Sequence, residues 1–298
     1  MKKAIVTGGT GFVGSNLCKF LIKNDWEVSV ITRPSSDYSN ISSVLNEIDV
    51  FEYDGQIERL IDYFNEKNVE IVFHLASLFI AEHESNQIDG LVDSNIKFGL
   101  HILEAMKESK TKLLINSGTS WQHYHSDEYN PVDLYAATKQ AFESLVKYYV
   151  EAENIRVITL KLFDTYGEFD KRPKLINLLH KFADENKELN MSPGEQVLDL
   201  VHVNDVVKAY VKAYEYLVEQ GIGFQEFGVG SKKPIRLKDL INKFEFITGK
   251  KLNVIWGGRN YRKREVMKLW GKYETLPGWI IEVSLEEGLL KYNGNKNN

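Results

Sequence analysis

Two side chains four residues apart could carry proton chemistry. Tyr135 and Lys139 stand in a segment with apolar residues at spacings of three and four, so both project from one face of a predicted helix. A phenol titrates at about pH 10, and a neighbouring ammonium lowers its pKa by favouring the phenolate. The chain has 15 tyrosines, so this spacing gains meaning only from its place in the fold. There the pair predicts a centre for general acid–base catalysis.

A short run of hydroxyl side chains precedes this helix. Ser117 and Thr119 lie in the segment Asn116–Ser120, just beyond a predicted strand. A hydroxyl there can bond the substrate oxygen that exchanges the proton, and we assign this role to Ser117, with Thr119 as a second substrate contact. The alternative is that these hydroxyls only cap the turn. The following loop, His123–His125, would border the substrate or be merely exposed.

A glycine-rich turn lies near the start of the chain, between a predicted strand and a predicted helix. Gly8 can make the tight turn, Gly11 lets a pyrophosphate approach the backbone, and Gly14 lets the helix pack against the strand. The unpaired N–H groups at the start of that helix would bind the anion. The turn in this context predicts a dinucleotide site.

The elements that must position these residues alternate between strand and helix over the first half of the chain. The predicted strands are Ala4–Thr7, Glu27–Thr32, Asp49–Tyr53, Ile71–His74, Leu113–Asn116 and Val157–Leu162, and the predicted helices are Gly11–Lys23, Gln56–Glu66, Ile88–Glu108 and Asp133–Glu153. Strands that are apolar nearly throughout are covered on both faces. The pattern predicts an α/β fold with a doubly wound parallel sheet of the Rossmann type.

The pattern loosens after residue 165. Three further helices are predicted at Lys174–Asn186, Asn204–Val218 and Leu237–Thr248. We therefore expect a dinucleotide-binding domain over residues 1–165. Residues 166–298 would form mainly a smaller α/β substrate cap, with some segments returning to the first domain. The polar tail 293–298 is expected to be frayed.

Composition excludes several classes of protein. The 298 residues include 37 basic and 42 acidic ones without a block of one sign, so nucleic acid is not an expected partner. The single cysteine, Cys18, fits a small core residue in a reducing compartment. The first apolar run, Ala4–Val6, is too short for a signal peptide or a membrane span. These features predict a cytoplasmic protein without a membrane partner.

Together these motifs resemble the family of NAD-dependent epimerases and dehydratases, the extended short-chain dehydrogenases, over nearly the whole chain. The likeness rests on the G-x-x-G-x-x-G spacing, on the tyrosine–lysine pair and on four later segments, Leu162–Gly167, Gly194–Val206, Leu276–Trp279 and Ser284–Leu289. The resemblance implies a nicotinamide cofactor. It also implies a homodimer, formed here by Ile88–Glu108 and Asp133–Glu153.

The resemblance implies a cofactor site made by Gly8, Thr10, Gly11, Phe12, Val13, Gly14, Thr32, Arg33, Asp54, Gly55, Leu75, Ala76, Ser77, Asn95, Tyr135, Lys139, Leu162 and Phe163. An acid at the end of the second strand would bind the ribose 2′-hydroxyl of NAD. Thr32 and Arg33 stand there instead, and they suit the 2′-phosphate of NADP. NADP (as NADPH) is therefore favoured over NAD, unless Arg33 is simply a solvated cation.

The resemblance further implies a nucleotide-diphosphate sugar as substrate, held by Ser117, Thr119, Asp164 and Arg262. Leu198 replaces a family arginine that binds the sugar-nucleotide pyrophosphate, and the acid pair of the dehydratases is absent. The nearest likeness is to reductases of nucleotide-linked 4-keto-6-deoxy sugars, such as abequose and paratose synthases. We expect NADPH-dependent reduction of such a sugar. The alternatives are a 4-epimerase that retains its NAD and, more remotely, a non-catalytic dinucleotide sensor.

Overall fold

The computed structural model describes residues 1–292, and the tail 293–298 lies outside the described residues. In chain order the strands are β1 (Lys3–Thr7), β2 (Glu27–Thr32), β3 (Ile48–Glu52), β4 (Ile71–His74), β5 (Leu113–Thr119), β6 (Arg156–Leu162), β7 (Asp164–Tyr166), β8 (Glu188–Met191), β9 (Val197–Leu198), β10 (Leu200–His202), β11 (Phe224–Val229), β12 (Ile235–Arg236) and β13 (Asn253–Trp256). The helices are α1 (Phe12–Lys23), α2 (Ile57–Lys67), α3 (Ile88–Val92), α4 (Phe98–Lys107), α5 (Leu134–Glu153), α6 (Leu175–Glu185), α7 (Val203–Gln220), α8 (Leu237–Thr248) and α9 (Leu285–Lys291).

Seven of these strands form one parallel sheet. Their order is β11-β6-β5-β4-β1-β2-β3, so the chain builds outward from β1 in one direction and then returns to build from β4 in the other. The order reverses between β1 and β4, and a crevice opens at the carboxyl ends of strands at such a point. The predicted doubly wound parallel sheet is confirmed.

Alternating side chains of each strand enter two different cores. In β1, Ile5 packs with α2, α4 and α5, whereas Ala4 and Val6 pack with α1 and α7 on the other face. Complete burial of side chains such as Ile5 and Phe64 contributes about 1.5–3 kcal/mol each. Helices therefore cover both faces of the sheet, as its apolar strands require.

One strand of the sheet and one helix that covers it come from beyond residue 165. Strand β11 pairs with β6 from Phe224↔Val157 to Val229↔Leu162, and α7 packs against α1 on the sheet. Helix α7 was predicted as Asn204–Val218, whereas strand β11 was not predicted. The remaining later elements surround a separate core that includes Leu179, Leu240 and Phe244. These elements form the smaller α/β part of the fold.

The predicted helix Ile88–Glu108 is interrupted. Between α3 and α4 lies one π-helical turn, Asp93–Lys97, which widens the helix at Asn95. There the side chain of Asn95 accepts a hydrogen bond from Leu78 N at 2.7 Å and donates to Leu78 O at 3.0 Å. The turn therefore fixes the loop that follows β4. Within residues 1–292, no helix combines the length and apolar character needed to cross a membrane.

Candidate active site

The glycine turn between β1 and α1 leaves no room for side chains. Gly8 has φ +71°, and a Cβ on it would lie 2.7 Å from Ala76 N. A Cβ on Gly14 would lie 2.1 Å from Gly8 O, so the contact that Gly14 permits is with the turn itself rather than with the strand. Gly11 N donates to Gly8 O at 3.0 Å. The turn is closed by its own backbone.

Helix α1 begins at this turn without a cap. Gly11 is its N-cap residue and supplies no side chain, and the first turn of α1 contains no acidic residue. The N–H groups at the start of α1 therefore lack a side-chain acceptor and face an anion site with a partial positive charge. This cradle fits the diphosphate of a dinucleotide.

A cavity of about 320 Å³ opens beside the turn, at the reversal of the strand order. It brings together thirteen of the predicted site residues: Gly8, Gly11, Phe12, Val13, Gly14, Leu75, Ser77, Ser117, Thr119, Tyr135, Leu162, Phe163 and Asp164. The predicted proton-transfer groups and the predicted dinucleotide turn thus share one chamber.

Other predicted residues do not line this cavity. Asn95 is buried and also donates to Thr138 Oγ1 at 2.9 Å, so its side chain serves the loop after β4. Ala76 N donates to Thr7 Oγ1 at 3.1 Å, and Thr10 O accepts from Asn40 at 2.9 Å. These three residues shape the wall through its backbone.

Thr32 and Arg33, which were predicted to select the cofactor, lie at the end of β2, and the predicted cofactor contacts Asp54 and Gly55 follow β3. Thr32 is buried, with its hydroxyl 3.1 Å from Tyr38 OH, whereas the side chain of Arg33 is exposed. Asp54 accepts from Gln56 N at 3.1 Å and pairs with Arg59, and Gly55 follows it with φ +96°. The backbone bond from Gln56 and the charge of Arg59 lower the pKa of Asp54.

Tyr135 and Lys139 lie on successive turns of α5. The helix begins with Asp133 as its cap, whose Oδ1 accepts from Ala136 N at 2.8 Å. Tyr135 faces the cavity with Phe79 edge-on at 5.0 Å, and Lys139 is buried behind it. The pair therefore has the geometry that its spacing predicts, but only the tyrosine reaches the cavity.

The electrostatics of this pair differ from the prediction. Burial raises the pKa of Tyr135 to about 12, although a hydrogen bond with Ser77 and the charge of Arg172 oppose this rise. Burial lowers the pKa of Lys139 to about 8. The expected lowering of the tyrosine pKa is wrong for the protein groups alone, because desolvation outweighs the neighbouring charges.

The two candidate hydroxyls differ in how their protons are used. Ser117 Oγ donates to His74 O at 2.9 Å and lies 2.6 Å from Tyr210 OH. Thr119 Oγ1 accepts from Trp121 N at 3.2 Å, and no protein acceptor for its proton is found among residues 1–292. A hydroxyl has one proton to donate. Thr119 therefore caps the turn with a lone pair and keeps its proton for the cavity, whereas Ser117 has committed its own.

Residues 4–224 match the family described as NAD dependent epimerase/dehydratase. The chain belongs to this family. It is 28% identical to a CDP-abequose synthase of Salmonella muenchen over 97% of this chain and 96% of that protein. It is 27% identical to a UDP-glucuronate 4-epimerase of Thermodesulfobacterium geofontis over 99% and 96%.

A solved structure of another family member has the same fold. The UDP-glucuronic acid 4-epimerase of Bacillus cereus, in complex with UDP-glucuronic acid and NAD, superposes with a TM-score of 0.84 at 27% identity. The alignment covers 96% of each chain. The predicted family and fold are thus both confirmed.

In the present protein, two cations that were not predicted line the cavity. Lys174 stands with Nζ 3.7 Å from the centroid of the Phe79 ring, and Arg172 stands over Phe12 at 4.6 Å. Arg262, which was predicted, lies behind the wall with its guanidinium 5.6 Å from the Trp121 ring. The run Lys171-Arg172-Pro173-Lys174 was the available sequence signal for the missed pair.

The histidine loop does not border the cavity. His125 Nε2 accepts from Met267 N at 2.9 Å, and His123 stacks on Trp270 with ring centroids 4.1 Å apart. These contacts attach the loop to the segment after β13. Trp121, just before them, is the residue that lines the cavity.

A buried charge cluster supports the turn that carries Thr119. Gln122 accepts from Thr119 N at 2.9 Å and donates to Glu143 at 3.0 Å. Lys161 Nζ lies 3.4 Å from Glu143 and 3.0 Å from Glu226. Burial raises the pKa of Glu143, and the ammonium of Lys161 opposes the rise. Strands β6 and β11 thus hold the active-site turn through charges.

Substituting Lys161 with Met should destabilise the protein by about 3–5 kcal/mol, because Glu143 would lose its partner at a site without solvent. Urea unfolding followed by circular dichroism measures the loss. The exposed Lys110→Met is the matched control and should change the unfolding free energy by less than about 0.5 kcal/mol. A Lys161→Met protein as stable as the control would contradict this role of the cluster.

Proposed function

We propose that this protein is an oxidoreductase that uses NADPH to reduce the keto group of a nucleotide-linked 4-keto-6-deoxy sugar. The observation that carries the proposal is the placement of the Tyr135 phenol and the free Thr119 hydroxyl in one cavity with the glycine turn. CDP-abequose synthases, similar over nearly their whole length, support the choice of substrate class.

The glycine turn, the start of α1 and the segment Leu75–Ser77 would hold the cofactor, which supplies the hydride when bound. Tyr135 donates a proton to the carbonyl oxygen, and Thr119 donates a hydrogen bond to the same oxygen. With its pKa raised to about 12, Tyr135 carries its proton at neutral pH, as reduction requires. Lys139 is buried one turn behind Tyr135 and does not line the cavity, so we propose that it acts on the phenol through its charge.

Lys174 lines the cavity and would supply positive charge for the diphosphate of the substrate, and Arg262 would add charge from behind the wall. Neither side chain pairs with a carboxylate in the described residues, and each stands over an aromatic ring of the cavity wall. Leu198 lines the same cavity and offers no charge, so Lys174 would take over the anion contact. Asp164 would accept a hydrogen bond from a sugar hydroxyl. Burial raises the pKa of Asp164.

The preference for NADP rests on Arg33. Its exposed guanidinium follows Thr32 at the end of β2, where a 2′-phosphate would lie.

We also propose a cytoplasmic homodimer, formed by the surface of α3, α4 and α5. That surface exposes Ile88, Val92 and Tyr148. Exposed apolar side chains on neighbouring helices favour pairing of two copies.

The second candidate is a 4-epimerase that retains NAD. Its support is the 27% identical UDP-glucuronic acid 4-epimerase, whose structure contains NAD. The same cavity residues serve both reactions.

Purified protein should oxidise added NADPH stoichiometrically when given CDP- or dTDP-4-keto-6-deoxyglucose. The loss of reduced nicotinamide absorbance measures this turnover, and Tyr135→Phe should lower kcat by about 10²–10⁴. Interconversion of two sugar nucleotides without added cofactor would instead establish the epimerase. Wild-type protein that turns over neither kind of substrate would favour the sensor.

Thr119→Val should cost much more activity than Ser117→Ala. Loss of a donor aimed at the developing oxyanion lowers kcat by about 10²–10³, whereas Ser117 donates to His74 O and should cost less than about tenfold. Steady-state kinetics of the two variants measure the difference, with thermal unfolding as the check on folding. Equal losses of kcat would contradict the assignment to Thr119 alone. A larger loss for Ser117→Ala would assign the catalytic hydrogen bond to Ser117.

A further inference from the structure

Arg172 lines the cavity but has no part in the chemistry described so far. It lies between β7 and α6, and its guanidinium carbon is 4.6 Å from the centroid of the Phe12 ring. Phe12 is the first residue of α1 and directly follows the glycine turn. A cation from the later half of the chain thus stands at the start of the first helix.

The guanidinium of Arg172 is held in one orientation. Its Nε donates to Asp170 Oδ1 at 2.7 Å, and its Nη2 donates to Asp170 Oδ2 at 2.7 Å and to Thr165 O at 3.1 Å. The Asp170 side chain is only 3% exposed, and Asn177 donates to the carbonyl oxygens of both Asp170 and Arg172. The orientation is therefore fixed before any ligand binds.

This arrangement leaves one nitrogen of the guanidinium unused. Arginine has five N–H donors, and the bonds to Asp170 and Thr165 occupy those on Nε and Nη2. No acceptor for Nη1 is found among residues 1–292. The two N–H groups of Nη1 are therefore free to donate to the oxygen atoms of a phosphate.

We propose that Arg172 binds the diphosphate of the dinucleotide cofactor, opposite the N–H groups at the start of α1. The inference rests on the proposed function only in requiring a dinucleotide. Among the described residues that line the cavity, only Arg172 and Lys174 are cations. Lys174 stands over Phe79 in the loop after β4, whereas Arg172 stands over Phe12, the first residue of α1. Arg172 is therefore the cation that stands over the residue next to the glycine turn.

Nucleotide binding to the full chain, freed of bound nucleotide, tests the proposal without turnover. Arg172→Gln should weaken binding of ADP-ribose and of NAD⁺ by about tenfold or more, and should leave adenosine within about twofold. Isothermal titration calorimetry measures each dissociation constant. Lys171→Gln is the matched control, because its Nζ donates to Ser39 on the surface, and it should change ADP-ribose binding by less than about twofold.

A second variant keeps the test valid if Arg172→Gln fails to fold, because that substitution leaves Asp170 without its partner. Arg172→Lys keeps the positive charge but removes the planar guanidinium. It should weaken ADP-ribose binding by about fivefold. Unchanged ADP-ribose affinity in both variants would overturn the proposal, as would an equal loss for adenosine. A loss seen only for CDP or UDP, in protein saturated with cofactor, would assign Arg172 to the substrate instead. Wild-type protein that fails to bind ADP-ribose would contradict the proposed function itself.

Discussion

The reversal of strand order between β1 and β4 is the constraint on which the site depends. Parallel strands place all their carboxyl ends at one edge of the sheet, and the reversal parts the connections that would otherwise cover that edge. Residues from the turn after β1, the loop after β4 and the ends of β5 and β6 therefore meet at one crevice. Residues separated by more than 100 positions, such as Gly8 and Tyr135, therefore line the same cavity.

Burial in this crevice determines which chemistry is available. It raises the pKa of Tyr135 to about 12 and lowers the pKa of Lys139 to about 8, so both shifts favour the neutral side chain. A protonated phenol is ready to donate, and a positive charge must arrive before it can accept. The protein groups thus keep Tyr135 protonated, and its ionisation would depend on charge brought by the ligand.

The first six strands and the helix that carries Tyr135 could be predicted because their apolar periodicity is strong. Strand β11 could not be predicted, because Gln225 and Glu226 interrupt its apolar pattern. Glu226 forms an ion pair with Lys161 on the neighbouring strand, a contact that the local sequence does not show. The π-helical turn at Asn95 was missed because it leaves the helical spacing of apolar residues nearly intact. Local sequence records propensity, but these features are set by partners distant in sequence.

The candidate site divides in the same way. Spacing identified the glycine turn and Tyr135, because each motif acts through neighbouring backbone or a single helix face. Spacing alone favoured Ser117 over Thr119. It could not show that Ser117 Oγ contacts His74 O and Tyr210 OH, because these partners come from other elements. Arg172 and Lys174 stood in an unassigned basic run for the same reason. Their roles depend on Phe12 and Phe79, which the fold brings to them from the first third of the chain.

Contacts between the later half of the chain and the glycine turn bear on the choice between reductase and epimerase. A reductase must release its oxidised cofactor in every cycle, whereas an epimerase keeps its cofactor through many cycles. A residue that reaches across the cavity to the cofactor therefore acts on the step that separates the two reactions. Arg172 is rigidly supported by Asp170, but a single loop carries both, and that loop also leads into Lys174 and α6. One loop thus carries both the cation proposed for the cofactor and the cation proposed for the substrate.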